Sequence, residues 1–169
     1  MKIINNMYRD VKIPKTWAMT SASPGEGCIS VFRSKKVRAS LEEVMAYENI
    51  DVVARIARDQ GCDIKKAGEI FTDVKRFLFM AAQKASSIGG AIPSPIIDEG
   101  WHAFVLFTKD YENFCKKFFG TFLHHEPHRA NEKKYTREVL LPSVDAMYEI
   151  FGSKPSSNWD FYLPVSLKR

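Results

Sequence analysis

All four histidines of this 169-residue chain, His102, His124, His125 and His128, fall between positions 102 and 128, and the same stretch holds Cys115 and follows directly on Asp98 and Glu99. Imidazole, thiolate and carboxylate are the ligand types that suit zinc, and imidazole with carboxylate also suits iron or manganese. The chemistry expected of the segment is therefore a metal site built from Asp98, His102, Cys115, His124, His125 and His128, with zinc or another divalent metal as the cofactor. The metal-free alternative is an Asp98 to His102 hydrogen bond that clamps the Pro-rich stretch before it, with the later histidines as loop residues.

Helical spacing sharpens both readings. At about 100° per residue, Phe104, Phe107, Tyr111, Phe114, Cys115 and Phe118 share one face, whereas Asp98 and His102, at i and i+4, lie together nearly opposite. Trp101, Val105 and Leu106 flank that pair, so residues 101–107 read as apolar almost all round, the pattern of a helix buried on most sides. A buried polar pair must be bonded, since an unsatisfied group costs roughly 1 to 3 kcal/mol. Cys115 lies on the aromatic stripe and also reads as a small core hydrophobe. The outline Asp98-Glu-Gly-Trp-His102 resembles the zinc-protease helix His-Glu-x-x-His, but an Asp replaces the first metal-binding His and a Gly interrupts the turn, which argues against a hydrolase of that kind.

The elements that would carry these residues are helices. Ser40 with Glu43 forms a capping box ahead of Leu41, Val44 and Met45. Asp51 is the expected cap of a second helix, with Val52, Val53, Ile56 and Ala57 on one face and Gly61 beyond its end. A third and longest helix starts at Asp63 and repeats Ile64, Ala67, Ile70, Phe71, Val74, Phe77, Leu78 and Ala81 at helical spacing until Ser86 and Gly89-Gly90. After the linker 89–95, one helix is expected from Ile96 to Phe119, ended by Gly120, and a last one from Glu132 to Phe151, capped by Asn131 and kinked by Pro142. The fold class expected is all-α: a compact bundle of about five helices in residues 37–169. Residues 1–36 form an extended arm or small hairpin laid on it, and 153–169 an extended tail anchored by Trp159, Phe161, Tyr162 and Leu163.

Pro93-Ser94, Asp98, Trp101-His102, Thr108, Tyr111, Phe114-Cys115, Phe119-Gly120 and His124-His125-Glu-Pro127, within the segment 93–128, together resemble the signature of the glycine-rich domain-containing protein-like family. The likeness extends over roughly residues 65–128. It implies a small helical domain, found alone in bacteria and within longer plant proteins, with no settled activity. Asp98, His102, Cys115, His124 and His125 match the polar positions of that signature, and His128 lies outside it. The glycine-rich tail of the plant relatives has no counterpart here, so any RNA association that depends on it does not carry over.

Composition bounds the rest. With 45% hydrophobic residues the chain can bury one core, and it has no apolar run of transmembrane length and no apolar stretch at its start resembling a signal peptide, which sets the expectation of a cytoplasmic protein without a membrane partner. Three widely spaced cysteines, Cys28, Cys62 and Cys115, suit reduced thiols. Ser23-Pro-Gly-Glu-Gly27 lacks the Gly-Lys-Ser/Thr ending of a phosphate-binding loop and reads as a turn. A net charge of +5 permits contact with an acidic surface, but the basic residues are scattered and no nucleic-acid motif accompanies them. Two functions remain: a metal-binding helical domain, enzymatic or regulatory, centred on Asp98, His102 and His124 or His125, or a non-enzymatic interaction module, an inhibitor, adaptor or regulator in which the Asp/His cluster is structural. The partner expected is another protein or an unidentified small molecule, with nucleic acid the lesser prospect.

Overall fold

A computed structural model of the chain describes residues 37–84, 91–125 and 137–160. The expected N-terminal arm, the Gly89-Gly90 stop, His128, the Asn131 cap and the tail beyond Asp160 lie outside the described residues. Within them the chain is all-helical: α1 (Leu41–Met45), α2 (Ile50–Gln60), α3 (Ile64–Lys84), α4 (Pro95–Val105), α5 (Thr108–Phe118) and α6 (Arg137–Phe151), followed by a 3-10 turn at Ser157–Trp159. None of these helices is long and apolar enough to cross a membrane.

The helix starts follow side-chain capping. Ser40 and Glu43 form the capping box of α1, each side chain bonding the other's backbone N–H. α2 begins earlier than Asp51 implies, because Asn49 accepts the Val52 N–H and leaves Asp51 inside the first turn, where its charge favours the helix N-terminus. Gly61 ends α2 in the left-handed conformation at φ 61°.

α3 is the central element, packed by α1, α2, α4 and α6. Ile70, Phe71, Val74, Phe77, Leu78 and Ala81 are all buried, as the apolar spacing requires. Its other surface is buried too, and there it carries charge. Lys75 Nζ donates to the carbonyls of Met45 and Tyr47, each at 2.7 Å, and so satisfies the free end of α1; burial pushes its ammonium below the ordinary lysine range. Asp73 is 1% exposed and accepts from Arg76 Nη1, Ser156 Oγ, Asn158 Nδ2 and Trp159 Nε1 at 2.6 to 3.0 Å. Over residues 156–159 this carboxylate corrects the expectation of an extended tail: they wind into the 3-10 turn because three of their donors converge on one buried acid. The linker is held from both sides, with the Ile92 N–H donating to Ser143 Oγ at 2.9 Å and Ser94 Oγ donating to the Asn158 carbonyl.

α4 lies against α3 at Gly100, where an added Cβ would sit 2.8 Å from both Ile70 Cγ2 and Val74 Cγ2. Those methyls belong to β-branched side chains that are stiff at χ1 and cannot swing aside. Gly100→Ala is expected to destabilise the protein by about 1 to 3 kcal/mol through this overlap. Gly68→Ala in α3, where an added Cβ meets nothing within 4 Å, is expected to stabilise by roughly 0.5 to 1 kcal/mol through helix propensity alone. Thermal melts of the two variants compared with wild type check both signs.

Candidate metal centre

Asp98 and His102 stand one turn apart on α4, but the helix does not continue to Phe119. It stops at Val105; Phe107 takes φ −87° and ψ 64°, outside the helical range, and α5 starts at Thr108. The signal for the break is electrostatic: Asp110 falls in the first turn of α5 and Lys116 and Lys117 in its last, the charge order of an independent helix. The break lets α5 fold back on α4, and Phe104 packs edge-on against Tyr111 and Phe114 at centroid distances of 5.1 and 5.2 Å. It also turns Leu106 outward, 59% exposed. The α4 face is therefore not buried all round, and the His102 and Asp98 side chains keep 43% and 32% of their surface.

At the end of α5, Gly120 adopts φ 71° and the chain runs back toward α4. The Tyr111 hydroxyl, donating 2.6 Å to the Leu123 carbonyl, fixes this return, and it accepts from Trp101 Nε1 at 3.0 Å. Two residues on, His125 arrives at Asp98, with Nε2 2.9 Å from Oδ1. The His125 side chain is only 6% exposed, and its ring rests against the Trp101 indole at 4.1 Å and beside the His102 ring at 4.3 Å.

Asp98, His102 and His125 form a group whose potential ligand atoms all lie within 4.8 Å of one another, the one such group among the described residues. The bond proposed between Asp98 and His102 is not formed: Nδ1 stands 3.9 Å from Oδ2, too far for a hydrogen bond, and Asp98 pairs with His125 instead. Glu99, also 3.9 Å from His102 Nδ1, flanks the group on its exposed side. His124 points away, exposed, and stacks edge-on with Phe122 at 4.8 Å. Cys115 is fully buried on the aromatic face of α5 and does not join the group, because the return of residues 121–125 brings His125 to α4 rather than to the interior. Trp101 and Tyr111, which the spacing assigns simply to the core, turn out to support the site; their hydroxyl and indole N–H are the sequence signal, since both need a partner when buried.

Residues 42–150 match the protein family described as UCP032817-like. The chain belongs to that family. The match corrects the resemblance to the glycine-rich domain-containing family. Trp101, Tyr111, Phe114 and Cys115, which carried much of that likeness, are buried in the core of this chain. No curated protein and no solved structure matches the chain. The segment assigned to the UCP032817-like family contains Asp98, His102 and His125 together with their supports Trp101 and Tyr111.

Cys115 differs from a metal-binding thiolate in its protonation as well as its place. Burial pushes its thiol from an ordinary 9.0 up to about 11, the opposite of the lowering that makes a cysteine a good ligand. The unfolded thiol ionises near 9.0 and the folded one near about 11, so stability is lost as pH rises through that window. The stability difference between wild type and Cys115→Ala is expected to be constant below about pH 8 and to shrink by roughly 2 kcal/mol by pH 11. Denaturant titrations at pH 7, 9 and 11 measure it; a difference that does not change with pH contradicts the assignment.

Proposed function

We propose that the UCP032817-like chain binds a single divalent metal ion, zinc or a first-row relative, through Asp98, His102 and His125. The observation that carries the reading is the convergence of two imidazoles and one carboxylate from two separate chain segments onto one partly open spot. Ligand bonds of about 2.0 to 2.1 Å in tetrahedral geometry place neighbouring donor atoms ~3.3 Å apart. The 2.9 Å between His125 Nε2 and Asp98 Oδ1 and the 4.8 Å bound on the group bracket that spacing. In this reading the ion takes the place of the proton between His125 and Asp98. Two histidines and one carboxylate leave coordination positions free on the side where His102 and Asp98 are exposed, the arrangement of a site that works on a bound water or substrate rather than one that only braces the fold. Such an ion would act as a Lewis acid or lower the pKa of its water.

The competing reading is a structural Asp98 to His125 pair that holds the return segment on α4, favoured by its 2.9 Å hydrogen-bond geometry and the burial of His125. The two separate by experiment. Elemental analysis of tag-free protein is expected to find near-stoichiometric metal in wild type and none in His102→Ala or His125→Ala. Zinc at about 100 times its dissociation constant is expected to stabilise wild type by roughly 2.7 kcal/mol, a rise in Tm of roughly 5 to 10 °C, and to leave His125→Ala unmoved. A metal-free wild type whose Tm ignores zinc, with His125→Ala merely less stable, establishes the structural pair instead.

A further inference from the structure

We infer that Tyr111 is a positioning residue for the metal ligand His125, an inference that rests on the proposed metal site and extends it into the core. His125 has two supports, the Trp101 indole beneath its ring and the backbone of the return segment that carries it, and the Tyr111 hydroxyl holds both. It accepts from Trp101 Nε1 at 3.0 Å and donates to the Leu123 carbonyl at 2.6 Å. Leu123, Trp101, Tyr111 and Cys115 are each no more than 1% exposed, while Asp98 and His102 are partly open to solvent.

The asymmetry has a reason in the covalent chain. Asp98 and His102 are placed by α4 itself, whose hydrogen bonds fix their spacing. His125 belongs to no helix, and besides its own contact with Asp98 the Tyr111 bonds seat the segment that carries it. Buried, water-excluded bonds of this kind orient ligands, and their loss typically weakens a metal about 10- to 100-fold without touching the ligands themselves. Tyr111→Phe keeps the ring and its packing and removes only the oxygen.

The test uses cobalt(II) in place of zinc, because its visible absorption reports ligand geometry. Full-length wild type, Tyr111→Phe and a control, Val44→Ala, which trims a fully buried side chain on α1, are titrated with cobalt(II), and each apo protein is melted. Tyr111→Phe is expected to bind cobalt about 10- to 100-fold more weakly than wild type, with an altered spectrum at saturation. Val44→Ala is expected to lose stability with its cobalt affinity and spectrum intact. If Tyr111→Phe does not fold, Trp101→Phe, which removes the indole N–H that Tyr111 accepts and keeps an aromatic ring beside His125, carries the same expectation. Wild-type affinity and spectrum in either folded variant overturn the positioning role and leave the metal site standing. No cobalt spectrum from wild type overturns the metal reading and this inference together.

Discussion

Gly100 lets α4 lie directly on α3, with no room for a side chain between its Cα and the Ile70 and Val74 methyls. On a helix of about 100° per residue, positions two before and two after a buried contact both fall on the opposite face and close to each other. Asp98 and His102 are those positions. The closeness of the two helices therefore does more than fill the core: it turns a carboxylate and an imidazole outward as a pair. Had α4 met α3 through another residue, the same two side chains would have been rotated into the interior or away from the return segment.

Around that contact the protein uses its few buried polar groups as joints. Asp73 gathers four donors from Arg76 and the C-terminal turn, Lys75 closes the open end of α1, and Tyr111 ties α4, α5 and the segment before His125. Each satisfies groups that would be costly to bury alone, and each joins chain segments far apart in sequence. Among the described residues no buried side-chain polar atom lacks a partner. The polar network thus sets how segments without helical structure of their own are seated, while apolar burial on α3 sets where the helices lie.

The candidate site inherits both influences. Two of its members ride on a helix whose orientation is governed by apolar packing, and the third hangs on a short return held by a tyrosine hydroxyl. This division explains why one side of the group is set by a helix and partly open, whereas the other is buried and seated through a hydroxyl outside the group.

Much of the helical pattern was readable from residue order alone, because capping and amphipathic spacing are local: the Ser40–Glu43 box, the apolar stripe of α3 from Ala67 on, though not the exposed Ile64, and the i to i+4 relation of Asp98 and His102 stand as expected. The stretch that holds the Asp98, His102 and His125 group was legible in the same way, since every histidine lies in it. The break between α4 and α5 was harder to see, as no Gly or Pro marks it and only the charges of Asp110, Lys116 and Lys117 hint at a new helix. Which histidine meets Asp98 was beyond any local pattern. His124 and His125 are adjacent and identical in type, and the choice falls to His125 because the Tyr111 bond to Leu123 sets the register of the return. The same holds for Cys115, whose type suits a ligand but whose side of α5 consigns it to the core. Hydrogen bonds and packing between distant segments made these selections, and their partners are named only once the chain has folded.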